Sequence, residues 1–335
     1  MGKWTDGSYS LMGRQNLQDL ADELPDFLLK SKAQSTKKKY ESSFKSWSKW
    51  CLTSAFIKPI PATEYFVALY LLHLSKTANT ISTVNDAMYA ISWAHQLAGF
   101  PDPTKSFLVK TVRESADRTI VHIVNKKEPI TPHTLFLIVQ KYAHETASLL
   151  DLRLATMCLV SYAGFLRFSE LANIKRSDIV FNSDHIVILI KKSKTDKYNI
   201  GSNTFIAKTG SLTCPVRMLE RYLHKANILP SSDEYIFRSL YFCKKKNCYI
   251  LRKNKPISYT RAREILLRAL EALGLDKSKF GLHSLRSGGA TAAAEHGVSD
   301  RVFKKHGRWA TDKAKDGYVH ENLNTRLSVT QNLGI

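Results

Sequence analysis

The sequence predicts a mainly α-helical protein of two domains with one small β-hairpin or sheet. Its 335 residues are enough for two ordinary domains, and a hydrophobic fraction of 44% is enough to bury a core in each. Apolar side chains recur at helical spacing through residues 30–124, where no strand pattern interrupts them. The period changes at HIVILI, residues 185–190, which is short and β-branched and is followed by a turn and a returning strand, TFIAK.

Four helices are predicted in the first domain. The first begins near Ser35 or Thr36, either of which can cap it. Its apolar side chains recur at helical spacing with lysines between them: Tyr40, Phe44, Trp47 and Cys51. The other three helices are expected within residues 61–76, 81–99 and 104–118. We therefore divide this part of the chain into an N-terminal arm, residues 1–29, and an all-helical domain, residues 30–124.

A polar segment that contains Pro129 is the predicted linker, and residues 130–335 form the predicted second domain. Thr131 caps its first helix, with Pro132 in the first turn. A buried helical pair and then the β-element follow. Helices resume at PVRMLERYLHKA and YTRAREILLRALEALG, and short helices are expected from there to the C-terminus.

The charge predicts a polyanionic partner. Lys and Arg number 50 against 29 Asp and Glu, which gives a formal charge of +21 and an isoelectric point near 9.7. Nucleic acid is the first candidate; an anionic membrane surface is the second, but the longest apolar runs are too short to span a bilayer. Residues 128–335 hold 33 of the 50 basic side chains, so we expect the tighter phosphate contacts there. The DNA contacts that we assign are Lys37, Lys38, Lys39 and Lys192.

The cysteines and the N-terminus predict an intracellular protein without a structural metal. Five cysteines at irregular spacing do not suggest a disulfide framework, and no Cys/His set completes a metal cluster. The segment MGKWTDGSYS has no apolar signal-peptide core. We expect the protein to stay inside the cell.

Four segments carry candidate chemistry, and each has an ordinary explanation when it is taken alone. Arg167, in the apolar run AGFLRFSEL, would pair with Glu170 on the same helical face. The lysines of KKSKTDK would be a solvent-exposed cluster on the hairpin turn. His283 and Arg286, in GLHSLRSGGAT, are three residues apart and share a helical face. In the fourth segment, GRWATDKAKDGYVH, the aromatic side chains would belong to a core.

Taken in order, these segments resemble the catalytic domain of the tyrosine recombinases, the family of phage integrases, Xer proteins and Cre. FLRFSEL is similar to the family's first arginine motif, SKTD on a hairpin to its lysine motif, and LHSLRSGGAT to its His-x-x-Arg box. GRWATDKAKDGYVH is similar to its closing box, with Trp where most members have His, as in Cre. The motif sequences GFLRFSEL and KSKTD look most similar to those of eukaryotic mobile-element members of the DIRS and Crypton types. The match covers residues 130–320, and the first domain fits the family's helical core-binding domain.

The resemblance implies a catalytic set, with Glu170 as an acid that orients the first arginine. The set is Arg167, Lys194, His283, Arg286, Trp309 and Tyr318. Three other lysines of the same turn compete with Lys194, and the SKT context favours Lys194 over Lys191, Lys192 and Lys197. The glycine of AGFLR lies one place further from the arginine than in many members.

The chemistry that the resemblance implies needs no metal, nucleotide or redox cofactor. Tyr318 would attack a DNA phosphate and form a 3′-phosphotyrosine, while two arginines bind the non-bridging oxygens. Lys194 would protonate the leaving 5′ hydroxyl, and His283 would take the tyrosine proton or donate to the phosphate. No acidic cluster in the sequence would hold two magnesium ions.

The implied partner is double-stranded DNA, bound by a homo-oligomer that is a tetramer on two DNA sites. We expect the C-terminal tail, ENLNTRLSVTQNLGI, to reach a neighbouring protomer, with Leu327 and Leu333 as anchors. The expected compartment is the nucleus if the host is eukaryotic.

Three other functions fit parts of the sequence. A catalytically inactive, domesticated DNA-binding protein from a mobile element is the main alternative, because AAAEHGVSDRVFKKHGRW resembles a helix-turn-helix with Gly297 at the turn. A type IB topoisomerase would share the chemistry and relax supercoils on arbitrary sequence. An RNA-binding protein would explain the charge, but an aromatic stacking signature is missing from the sequence.

Overall fold

The computed structural model describes residues 15–120, 126–194, 196, 198, 200–320 and 323–334. The chain divides into two compact units, Met1–Val124 and Asn125–Ile335. The predicted fold class is confirmed, since helices dominate the described residues and two small antiparallel sheets accompany them. No helix in this part of the chain is long and apolar enough to cross a membrane.

The first unit is helical over its described residues. Its helices are α1 (Gln15–Leu29), α2 (Gln34–Cys51), α3 (Glu64–Thr77), α4 (Ile81–Leu97) and α5 (Phe107–Thr119). Trp47 is fully buried at the centre, where its indole N–H donates to the carbonyl of Pro59 over 3.1 Å. The predicted cap of α2 is wrong: the N-cap is Ala33, and no side chain caps the helix.

The second unit is built around one buried helix. Its helices are α6 (Pro132–Tyr142), α7 (Leu149–Ala163), α8 (Phe168–Ala172), α9 (Pro215–Lys225), α10 (Tyr259–Glu271), α11 (His283–Glu295), α12 (Asp300–Gly307), α13 (Asp312–Asp316) and α14 (Leu323–Gln331). Eleven of the fifteen residues of α7 are buried, because α6, α9 and α11 pack around it. The predicted cap of α6 is confirmed, since the Thr131 side chain accepts from the N–H of Thr134.

The predicted hairpin belongs to a three-stranded sheet. Its strands are β1 (Ile179–Phe181), β2 (His185–Ile190) and β3 (Ser202–Ala207), in the order β1-β2-β3. Alternate residues of β2 are buried in the core: Ile186, Ile188 and Ile190. The turn between β2 and β3 carries the lysine motif.

A second hairpin corrects the expectation of one β-element. Its strands are β4 (Arg238–Cys243) and β5 (Cys248–Pro256). The turn between them is a lysine run that ends at Asn247, whose φ is +47°. The hairpin was not predicted because basic residues interrupt the apolar alternation; Leu240 and Leu251 pack only partly buried against the core.

Two glycines let α11 approach its neighbours closely. A Cβ on Gly288 would lie 2.0 Å from the carbonyl oxygen of Ile130, and a Cβ on Gly289 would lie 2.2 Å from that of Tyr162. Such distances are far below van der Waals contact, so each position requires glycine. The sequence GG therefore sets how near α11 lies to the end of α7, where the arginine motif begins.

We predict that Gly288→Ala destabilises the second unit. Overpacking against the Ile130 backbone is expected to lower the free energy of unfolding by about 1–3 kcal/mol and the thermal midpoint by roughly 2–10 °C. Circular dichroism on heating measures this. The control is Gly281→Ala, since the nearest atom to a new Cβ there is the Lys127 Cγ at 3.9 Å. Equal midpoints for both variants would contradict the packing argument.

Candidate active site

The N-terminal turn of α11 supplies two residues of the site. His283 lies on the exposed side of this turn, while Arg286 is completely buried. The guanidinium of Arg286 donates to the carbonyls of Phe165 and Gly307, the latter over 2.6 Å. These bonds join the loop before α8 to the end of α12 and hold the guanidinium in one orientation.

Arg167 is the N-cap residue of the short helix α8, and the side chain of Glu170, three residues on, accepts from its backbone N–H. One carboxylate oxygen of Glu170 accepts from the backbone N–H of Arg167 over 2.9 Å, and the other accepts from its guanidinium over 2.8 Å. The Glu170 side chain is fully buried and that of Arg167 is 11% exposed. The ion pair expected from the spacing is therefore present.

Glu170 is the shared partner of three arginines. Its Oε2 lies 2.9 Å from Nη2 of Arg308 and 3.8 Å from Nη1 of Arg286. Burial opposes the charge of this carboxylate, but Arg308 and then Arg167 hold its pKa below the ordinary value. Three guanidiniums around one carboxylate leave excess positive charge, so the site is electrostatically suited to an anion.

The guanidinium of Arg286 stays charged in this surrounding. Burial, followed by repulsion from Arg167, lowers its pKa to about 10, which is well above neutral pH. Its carbon lies 4.8 Å from the ring centroids of both Trp309 and Tyr318. The Arg286 cation thus lies against the ring of Tyr318, whose hydroxyl is the predicted nucleophile.

Tyr318 follows α13 and points at His283. Its hydroxyl lies 2.9 Å from Nε2 of His283, within hydrogen-bonding distance, and the two ring centroids are 5.3 Å apart. Partial burial and the positive charges of Arg286, Arg167 and Lys194 lower the pKa of His283. The imidazole is therefore neutral at pH 7 and has a nitrogen that can accept the tyrosine proton.

Trp309 has a buried hydrogen-bond donor that lacks an acceptor among the described residues. The side chain is 5% exposed, and among the described residues its indole N–H meets no hydrogen-bond partner. A buried N–H left unpaired is unfavourable unless a ligand atom satisfies it. Because the ring lies 5.4 Å from that of Tyr318, an oxygen bound beside the Tyr318 hydroxyl is the natural acceptor.

Lys194 is exposed in the β2–β3 turn, and its positive charge is one of those that lower the pKa of His283. Lys191 instead pairs with the buried Asp178 over 2.6 Å. Lys192 is exposed at the start of the turn. Lys197 lies outside the described residues. Of these lysines, Lys191 is therefore engaged in an ion pair with Asp178, whereas Lys194 is exposed and close enough for its charge to affect His283.

The lysines assigned to DNA in the first unit have different surroundings. Lys39 pairs with Asp86 of α4 over 2.7 Å, and Lys37 lies 3.9 Å from Glu41 on its own helix. Lys38 is exposed. Two of the three therefore also take part in ion pairs within the helical unit.

Sequence reasoning missed Arg308 and His306. Arg308 makes the shorter of the two ion pairs to Oε2 of Glu170, 2.9 Å against 3.8 Å for Arg286. His306 Nε2 lies 2.8 Å from the carbonyl of Ala163, and its ring meets Phe165 edge-on at 4.6 Å. Both residues lie in the segment KHGRW, directly before Trp309, but only Trp309 of this segment was assigned to the site from the sequence.

Comparisons with known proteins agree with this arrangement. A model of the phage integrase family matches residues 137–325. An integrase/recombinase XerD homolog of Selenomonas ruminantium is 29% identical over 298 residues, which cover 88% of this chain and 84% of that protein. Recombinase Cre of Escherichia phage P1 is 23% identical over 324 residues, with 91% of this chain and 88% of Cre covered.

A solved structure shows the same fold. The Tn1549 transposon integrase, in complex with transposon right end DNA, matches with a TM-score of 0.60 at 13% identity and covers 98% of each chain. The family model spans more than half of the present sequence. The chain therefore belongs to the phage integrase family, the tyrosine recombinases.

Proposed function

We propose that this protein is a site-specific recombinase that cleaves and rejoins double-stranded DNA through a 3′-phosphotyrosine on Tyr318. The observation that carries the proposal is the position of the Tyr318 hydroxyl, 2.9 Å from Nε2 of His283 and beside the buried guanidinium of Arg286. A nucleophile, a proton acceptor and an anion site thus converge. Membership of the recombinase family supports the same conclusion.

The proposed cleavage step balances with the side chains present. The Tyr318 oxygen attacks the scissile phosphorus, and its proton passes to Nε2 of His283. The bond from phosphorus to the 5′ oxygen breaks, and Lys194 supplies the proton that this oxygen needs to leave as a hydroxyl. Rejoining is the reverse: a 5′ hydroxyl from another strand attacks the phosphotyrosine and releases Tyr318.

The transition state spreads negative charge over the non-bridging oxygens of the phosphate. Arg167 and Arg286 can donate to these oxygens, and the unpaired indole N–H of Trp309 supplies another donor. The donors are held in place before DNA arrives, since Glu170 and the carbonyls of Phe165 and Gly307 fix the arginines. Such preorganised charge is the largest source of rate enhancement in many enzymes.

The assembly, the location and the origin of the protein are part of the same proposal. Strand exchange between two duplexes fits a tetramer on two sites, to which the tail with Leu327 and Leu333 would contribute contacts between protomers. Both side chains are exposed within the single chain, at 43% and 60%. We propose that the protein acts inside the cell, in the nucleus if its host is eukaryotic, as the product of a mobile element.

We predict that the parent protein, incubated with duplex fragments, traps DNA covalently on Tyr318. Denaturing capture followed by sequencing would identify the target. On a nicked suicide version of that target, Tyr318→Phe is expected to give no adduct, because the ring stays but the nucleophile is lost. Tyr259→Phe is the control, since the ring of this exposed tyrosine packs edge-on against Phe168 and the substitution keeps the ring. Tight DNA binding by the parent without any adduct would favour the inactive DNA-binding alternative, and relaxation of arbitrary sequence by a monomer would favour a topoisomerase.

The rate of cleavage should depend on the charge of His283. Because its pKa is lowered from 6.5, the rate is expected to hold as the pH falls through 6.5 and to decline only at lower pH, where the imidazole is protonated. His283→Gln should lower the rate by about 10²–10⁴-fold and remove this acidic decline. Single-turnover cleavage across a pH series is the measurement. A decline centred above 6.5 that persists in His283→Gln would contradict the assignment.

The proton donor can be tested through the leaving group. Lys194→Ala is expected to slow cleavage by about 10²–10⁴-fold. A substrate with sulfur in place of the 5′ bridging oxygen should restore the rate, because a thiolate leaves without protonation. Lys191→Ala is the matched control, as that side chain pairs with Asp178. Failure of the sulfur substrate to rescue Lys194→Ala, or its rescue of Lys191→Ala instead, would overturn the assignment.

A further inference from the structure

Arg308 has an unusual backbone conformation. It follows α12 with φ +55° and ψ +41°, in the left-handed region. This position after a helix usually holds glycine, because a Cβ is strained there. The preceding residue is Gly307, yet Gly307 is the last residue of the helix and the arginine takes the strained conformation. Such strain persists only where the surrounding contacts of the side chain maintain it.

The contacts of the Arg308 guanidinium supply that stabilisation. Its side chain is 7% exposed. Nη1 donates to Thr204 Oγ1 over 2.7 Å and to the carbonyl of His306 over 2.9 Å. Nη2 donates to Glu170 Oε2 over 2.9 Å and to the carbonyl of Phe165 over 3.0 Å. One side chain thus joins β3, the loop before α8, α8 itself and the end of α12.

We infer that Arg308 is a positioning residue, which acts on the phosphate site through Glu170 and Trp309. The inference rests on the proposed function, because the site it organises is the one that would bind the scissile phosphate. Its first effect is on the carboxylate. Arg308 binds Oε2 of Glu170 and leaves Oε1 to Arg167, so both oxygens have a cationic partner.

Because Arg308 and Arg167 each bind one oxygen of Glu170, the carboxylate does not compete with a phosphate for the guanidinium of Arg286. Nη1 of Arg286 lies 3.8 Å from Oε2, at the outer limit of an ion pair. Without Arg308, Oε2 would keep the backbone N–H of Arg167 at 2.9 Å but lose its cationic partner, and Arg286, at 3.8 Å, would be the next cation. A carboxylate drawn onto Arg286 would occupy the donors that a phosphate oxygen needs.

The second effect is on Trp309. The left-handed residue reverses the chain, so that the Trp309 ring folds back over Gly307; a Cβ on Gly307 would lie 1.9 Å from that ring. The backbone N–H of Trp309 then donates to the carbonyl of Lys304 over 3.2 Å. The indole ring is thereby held beside Arg286 and Tyr318, and its buried N–H has no hydrogen-bond partner among the described residues.

The test compares two substitutions that relieve the same backbone strain. Arg308→Gly removes the guanidinium and places glycine at φ +55°. Asn227→Gly does the same at an exposed turn with φ +53°, outside the site. If the contacts of the Arg308 side chain do not stabilise the fold, both variants should be at least as stable as the parent. We expect the thermal midpoint to rise or hold in Asn227→Gly and to fall in Arg308→Gly.

Cleavage separates positioning from mere stabilisation. Arg308→Gly is expected to lower the single-turnover rate by roughly tenfold to a hundredfold, with the Kd for the same duplex within about twofold of the parent. Added methylguanidine should restore part of the rate, and Arg308→Lys should lie between parent and Arg308→Gly, because lysine keeps the charge but not the planar fork. Asn227→Gly should cleave as the parent does. A rate for Arg308→Gly within twofold of the parent would overturn the inference.

A thermodynamic cycle keeps the inference testable if the proposed function fails. If the parent forms no adduct on any DNA, the proposed function is wrong, while unfolding of Arg308→Gly, Glu170→Gln and the double variant still tests the contact. Non-additive midpoints would support the link between Arg308 and Glu170. Additive midpoints, or a rise in Arg308→Gly like that in Asn227→Gly, would overturn it whatever the protein does to DNA.

Discussion

One buried carboxylate, that of Glu170, organises the candidate site of the second unit. Glu170 is fully buried and interacts with Arg167 from its own helix, with Arg286 from α11 and with Arg308 from the end of α12. A charge in such a place is unfavourable unless it is paired and hydrogen-bonded. Three distant segments of the chain meet at this point in the folded unit, and their meeting brings the side chains of the candidate site together.

The same interaction explains why the site suits a phosphate. Three guanidiniums exceed the charge of one carboxylate, so the unit folds with positive charge that its own side chains do not neutralise. The open N–H of Trp309 lies beside this charge. A phosphate diester supplies both the negative charge and the acceptor oxygen that are lacking. In this account, binding and catalysis use groups whose geometry the fold has already set.

The parts of this site that could be predicted from sequence are those in which spacing is enough. Arg167 and Glu170 are three residues apart and pair on one short helix, and His283 and Arg286 share the first turn of α11. Arg308 could not be predicted, because a helix end is expected to place glycine in the left-handed position, and here Gly307 is helical instead. The β4–β5 hairpin was missed for a similar reason, since its lysine-rich turn and basic second strand conceal the apolar alternation.

The central claim is that Tyr318 forms the covalent bond to DNA, and peptide mapping of the adduct tests it most directly. The trapped complex would be digested with a nuclease and a protease, and the nucleotide-bearing peptide sequenced by mass spectrometry. The account predicts one modified peptide, with a nucleotide joined through its 3′ phosphate to Tyr318. A nucleotide on another residue, or a linkage through the 5′ phosphate, would contradict it.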